Sequence, residues 1–93
     1  MTATKIAVGT ITFDGVLLGS SSSQNGGAKL HHYSTLSVWR TEEGRFVLER
    51  CQHRGARGLR RDIEVFASRQ ECQSWLGFGA LSLRLYSEVQ WPI

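Results

Sequence analysis

The stretch from Tyr33 to Cys51, YSTLSVWRTEEGRFVLERC, limits the possible folds more than any other part of the chain. It reads as a β-hairpin. Thr41-Glu42-Glu43-Gly44-Arg45 supplies the turn, two right-handed residues followed by Gly44 where the chain needs positive φ. That turn pairs Thr41 with Arg45. Outward from it, Arg40 faces Phe46, Val38 faces Leu48 and Leu36 faces Arg50. One face then carries Leu36, Val38, Phe46 and Leu48, a coherent apolar patch. The other carries Tyr33, Thr35, Ser37, Trp39, Val47, Glu49 and Cys51, a mixed set. A loop longer by one residue would scatter the apolar side chains over both faces, so the pattern selects this register.

The segments around the hairpin extend the same logic. TKIAVGTITF, from Thr4 to Phe13, is rich in β-branched residues and predicts a strand bent at Gly9. Asp14-Gly15 is a two-residue turn signal, and VLLGS from Val16 to Ser20 predicts the returning strand of a first hairpin. The Ser/Gly run SSSSQNGGAK, residues 20–29, has almost no apolar side chain to offset the entropy of ordering and is expected to be a flexible loop. RGARGLRR, residues 54–61, reads as a second loop by composition. DIEVFA, from Asp62 to Ala67, alternates like a fifth strand with Ile63 and Val65 on its buried face.

Ser68-Arg69-Gln70-Glu71 has the capping-box pattern. The Ser68 hydroxyl is expected to accept from the Glu71 amide while the Glu71 carboxylate reaches back to the Ser68 amide. The helix it opens is short, with Cys72, Trp75 and Leu76 facing inward and Gly77 at the left-handed cap position. FGALSLRLYSEVQ, from Phe78 to Gln90, fits both a strand and a helix by its leucine spacing. Its Leu, Ala, Arg and Glu content favours a second helix. The expected architecture is a single α+β domain over residues 1–93. An antiparallel sheet of about five strands, two hairpins plus one strand, packs on two short C-terminal helices.

At this point the order of motifs resembles a known family. The phrase WRTEEGRFVLER is similar to the YRTxxGRFVxx hairpin of the EXLDI proteins, small plasmid-associated and bacterial proteins without an assigned function. An acidic strand, DIEVF, then a short capped helix ending in WLG, then ALSLRLYSE follow in the same order, over positions 33–90. The resemblance implies a mobile-element or bacterial setting, not an activity, and brings no functional residues with it.

Chemistry has few footholds. The cysteines, Cys51 and Cys72, read as small buried hydrophobes rather than a bridge. The N-terminus lacks the basic-then-apolar layout of a signal peptide, and no apolar run approaches the roughly 20 residues of a membrane span, so the expected setting is the cytoplasm. His31, His32, Cys51, His53 and Cys72 match no metal-ligand spacing. Cys51 and His53 share a strand face, yet a thiol nucleophile also needs an oriented base and an oxyanion site. Gly55-Ala56-Arg57-Gly58 follows no strand-to-helix turn, so it is not a phosphate cradle. The reading is therefore a protein without catalysis, cofactor or metal.

The sharpest lead is basic. Seven of the eleven Lys and Arg residues lie between positions 40 and 61, in a chain whose net charge is only +3. Arg50, Arg54, Arg57, Arg60 and Arg61 crowd around His53, with Arg40 upstream. Such arginines suit phosphates or carboxylates, bound bidentately. Glu42, Glu43, Glu49, Asp62 and Glu64 are interleaved and can neutralise several of them. Tyr33 and Trp39 lie either beneath the helices as core or exposed as an interface anchor. The expectation is a small binding module that docks on a larger macromolecular partner, protein or ribonucleoprotein more than free nucleic acid. The residues that carry it are Arg50, Arg54, Arg57, Arg60, Arg61, Tyr33, Trp39 and Arg40. Small mobile-element proteins of this build act as inhibitors or accessory factors, anti-CRISPR proteins among them. The alternatives are a weak, backbone-directed nucleic-acid binder and a self-associating structural protein.

Overall fold

A computed structural model describes residues 4–23, 32–55 and 58–91. It contains β1 (Thr4–Val8), β2 (Ile11–Ser22), β3 (His32–Thr41), β4 (Phe46–Arg54), β5 (Leu59–Phe66), α1 (Arg69–Leu76) and α2 (Ala80–Val89). Each strand pairs antiparallel with the next, giving one sheet in the order β1-β2-β3-β4-β5. The fold is α+β, a curled five-stranded meander with both helices at its C-terminal end.

The central hairpin has the register its apolar pattern demands. Arg40 pairs with Phe46, Val38 with Leu48 and Leu36 with Arg50. Gly44 adopts φ 86°, and the Thr41 amide donates to the Arg45 carbonyl at 2.8 Å. Leu36, Val38 and Leu48 are buried against Cys72 of α1 and Leu85 of α2. Leu18, Phe46, Phe66 and Trp75 pack around that cluster. Leu18 gets there through a β-bulge. It is the extra residue between the Leu17–Trp39 and Gly19–Val38 pairs, so it departs from the alternation that leaves Leu17 exposed. Gly19 lets α2 lie close on β2, because a Cβ there would stand 2.7 Å from Val89 Cγ1 and 2.8 Å from Glu88 Cγ.

The helices are held at their ends. The Glu71 amide donates to Ser68 Oγ at 3.2 Å. The Glu71 carboxylate accepts from Ala67 at 3.1 Å, one residue before the position expected of a capping box. Gly77 caps α1 at φ 74° and donates to the Gln73 carbonyl at 2.8 Å. The buried Tyr86 hydroxyl of α2 donates to the Gly77 carbonyl, tying the end of α1 to α2. Gln90 turns left-handed at φ 60°, which brings Trp91 edge-on to Phe46 at 5.4 Å. The ambiguous 78–90 segment is thus a helix, because Leu81, Leu85 and Val89 all meet the same sheet face.

Three boundaries differ from the expectation. The first hairpin turns at Gly9-Thr10, where Val8 pairs with Ile11 and Gly9 takes φ 58°. Glycine at the first central position suits a type II′ turn. Asp14-Gly15 lies inside β2 instead. Gly15 is buried opposite Thr41, and any Cβ there would run into the Arg40 carbonyl, so this glycine serves close approach and not reversal. Ser20, Ser21 and Ser22 continue β2 as a strand, since their backbone groups find partners on Ser37, Leu36 and Thr35. Ser23 follows as a bend whose amide donates to the Ser34 carbonyl at 2.9 Å, and residues 24–29 of the expected loop lie outside the described residues.

Beyond Gly15, β2 leaves β3: residues 11–14 pair with β1, and the Asp14 carbonyl still accepts from the Glu42 amide at 2.8 Å. This two-stranded arm turns back across the face opposite the helices. Its tip, Gly9, packs on the Ile63 side chain, and a Cβ there would stand 3.7 Å from Arg61 Cδ. Val8, Val47 and Cys51 are buried on this side, and Phe13 meets Trp39 edge-on with ring centroids 6.4 Å apart. The sheet therefore has an apolar cluster on each face, one beneath helices and one beneath its own first hairpin.

The bend at Gly15 is the joint of that arm. Gly15→Ala is expected to lower stability by about 2–3 kcal/mol, because backbone atoms it would strike cannot swing aside. Gly44→Ala meets nothing within 4 Å and is expected to cost about 1 kcal/mol through positive φ alone. Urea unfolding of both variants checks this; equal losses would contradict the joint.

Candidate partner-binding site

The arginine-rich segment is a tight hairpin and not a loop. β4 runs to Arg54 and β5 begins at Leu59. The Arg54 amide donates to the Gly58 carbonyl at 2.8 Å, and the Gly58 amide to the Gly55 carbonyl at 3.0 Å. Gly55 and Gly58 both take positive φ, which is what closes so short a connection. Arg60 and Arg61 are thereby strand residues on opposite faces. Arg57 lies outside the described residues.

Strand alternation then sorts the arginines by neighbour. On the helix side, Arg50 lies 3.6 Å from the Asp62 carboxylate, with its guanidinium carbon 4.6 Å from the centre of the Trp75 ring. Arg60 approaches the same carboxylate oxygen at 3.5 Å but is 59% exposed. On the other side, Arg61 Nε lies 3.0 Å from the Glu49 carboxylate. A hydrogen bond with Cys51, and then the Glu49 charge, push the Arg61 pKa further up. Arg50 and Arg61 are therefore committed to carboxylates within the fold. Among the described residues Arg54 has a neutral partner alone, donating to Gln52 Oε1 at 2.9 Å.

One aromatic joins the arginines and the other does not. Tyr33 stacks on His53, its cross-strand partner, with ring centroids 4.0 Å apart and planes 11° from parallel. Leu59, 48% exposed, pairs with His53 from the next strand. Tyr33, His53 and Leu59 thus form a row across three strands on the arm side, while Arg54 stands at the same end of the sheet on the helix side. A shallow cavity of about 300 Å³ opens there, lined by Ser23, Tyr33, Ser34, Gln52, His53 and Arg54. Trp39 and Arg40 stand near the other end of β3, roughly 20 Å along the strand. The helices cover the face opposite Tyr33 and Trp39, because the even-numbered set of Leu36, Val38 and Leu48 is the apolar one. Trp39 is half-buried against Phe13, and Arg40 is exposed.

His53 was not singled out as a binding residue by sequence, although the signal was present. The register that pairs Val38 with Leu48 also pairs Tyr33 with His53.

The thiols are spoken for by the packing. Cys51 is 5% exposed beneath Arg61, and burial pushes the Cys72 thiol up to about 12. Among the described residues no group of three or more His, Cys, Asp or Glu side chains is arranged to hold a metal ion. Among the same residues no helix is long and apolar enough to cross a membrane. No protein-family model, no curated protein and no solved structure matches the chain.

The division between committed and free arginines is measurable. Asp62→Ala strips Arg50 of its carboxylate beside Trp75 and is expected to cost about 1–2 kcal/mol. Arg60→Ala is expected to change stability by less than about 0.5 kcal/mol, as for an exposed ion pair. Chemical denaturation distinguishes them, and a larger loss from Arg60→Ala would reverse the assignment.

Proposed function

We propose that this protein is a small non-catalytic binding module that docks on an acidic macromolecular partner through the β4–β5 end of its sheet. The observation that carries this reading is that end of the sheet, with the row Tyr33, His53 and Leu59 on its arm side and Arg54 and the exposed Arg60 either side of Gln52 on its helix side. Tyrosine and arginine are the residue types that dominate interface hot spots, and a stacked aromatic pair presents its area at low entropic cost. The role as an inhibitor or accessory factor of the anti-CRISPR kind, in a mobile-element setting, draws support from the small size and from the resemblance to the EXLDI proteins.

Charge favours an acidic protein or ribonucleoprotein over free nucleic acid. Arg50 and Arg61 already face Asp62 and Glu49, and Arg60 shares Asp62. Among the described residues of this segment, Arg54 and the exposed Arg60 are left for phosphates, and two such contacts would give a salt dependence of log affinity of about 2, a weak nucleic-acid footprint.

The test compares wild-type protein with the Arg54→Glu/Arg60→Glu variant in crosslinked capture from a bacterial lysate. Circular dichroism shows first that both are folded. Loss of the captured species in the variant is the expected result, and equal capture would reject this surface. Fluorescence anisotropy with single- and double-stranded DNA and RNA runs in parallel. A salt slope of about 4 or more, abolished in the variant, would make nucleic acid the partner instead.

A further inference from the structure

At the opposite end of the sheet, ~25 Å along β4 from Arg54, the folded arm leaves a cavity of about 390 Å³ beside the β3–β4 turn. Ile11 and Phe13 from the arm, Val47 from β4 and Val65 from β5 supply its apolar walls. Val47 is 1% exposed, whereas Val65 is 44% exposed, an apolar side chain left open to solvent on the sheet's outer strand. The opening is acidic. Glu42 and Glu43 from the turn and Asp14 from the arm stand there against Arg45. Lys5 sits opposite Asp14 in the arm register, yet no ion pair engages Asp14, Glu42 or Glu43 among the described residues. Three carboxylates against the Arg45 guanidinium and the neighbouring Lys5 ammonium leave this opening negative in a chain whose net charge is +3.

These features select one ligand chemistry. The volume falls within the range of ligand pockets, roughly 300–1,000 Å³. Apolar walls favour a methylene chain by removing it from water. Unpaired carboxylates at the opening favour a cation and repel an anion. A group with an aliphatic stem and a positive head satisfies both, with the stem against Phe13 and Val65 and the head at Glu42 and Glu43. We propose that this cavity binds a basic side chain, lysine or arginine, presented by a partner polypeptide. A free alkylamine shares the chemistry and differs in source. The site is separate from the arginine-bearing end, so either can fail without the other.

The test is a titration of the isotope-labelled protein, followed by amide proton and nitrogen shifts. The probes are backbone-blocked lysine (Nα-acetyl-lysine methylamide), hexylammonium, hexanol and hexanoate. Blocked lysine and hexylammonium are expected to shift the amides of Phe13, Glu42, Val47 and Val65 with Kd on the order of 1 mM. Hexanoate is expected to leave them unmoved, and hexanol to bind at least tenfold more weakly. Glu42→Gln/Glu43→Gln, at an exposed turn where folding is not at issue, is expected to weaken both cations about tenfold. Hexanol or hexanoate binding as well as the amine, no shifts with any probe, or shifts confined to the Tyr33 end would each overturn the proposal. Binding of hexylammonium without blocked lysine would overturn the polypeptide source and leave a small-amine site.

Discussion

Everything in this fold depends on the pairing of β3 with β4. The five-residue turn from Thr41 to Arg45 sets one register, and the register assigns each side chain to a face. Leu36, Val38 and Leu48 then form a surface that only the helices can cover. Trp39, Val47 and Cys51 form a second, less uniform surface on the reverse. A sheet with apolar side chains on both faces needs two covers, and in a chain of 93 residues the second is the sheet's own first hairpin. Gly15 and Gly9 make that possible, the one by close backbone approach and the other by a turn at positive φ.

The same alternation governs the charges. Sequence places five arginines within twelve residues, which suggests one basic patch. Strand geometry sends neighbours to opposite faces, and the interleaved acids meet some arginines and miss others. Asp62 faces Arg50 and Arg60, and Glu49 faces Arg61. Arg54 escapes because its strand neighbour is Gln52. What remains at the surface is a small amphipathic end, with Tyr33, His53 and Leu59 in a row on one face and Arg54 and Arg60 on the other.

Much of this architecture was legible because it is written in local patterns. The hairpin register, the cap at Ser68, the stop at Gly77 and the helix after Phe78 each follow from a few adjacent residues. The departures arise where distant chain segments decide. Asp14-Gly15 looks like a turn until β3 is present to fill the space a Cβ would need. Ser20–Ser22 lacks apolar content yet finds strand partners on β3. Residues 54–61 resemble a loop by composition, but paired glycines shorten the connection and release Arg60 and Arg61 into β5. Of the candidate binding residues, Tyr33, Arg54 and Arg60 gather at one end, Arg50 and Arg61 face carboxylates within the fold, and Trp39 and Arg40 stand elsewhere. That sorting required the arm and helices to be placed.

The claim on which the functional account rests is that the arginines fall into two populations, those held by the fold and those free to meet a partner. Solvent exchange of the arginine side-chain Nε–Hε protons, resolved by NMR on specifically labelled protein, measures this directly. Arg50 and Arg61 should exchange slowly, shielded by Trp75 and Asp62 and by Glu49 and Cys51, while Arg54 exchanges at the rate of a solvated guanidinium. Uniformly fast exchange would contradict the account, because the carboxylates would then sort nothing and the whole segment would be one mobile basic patch.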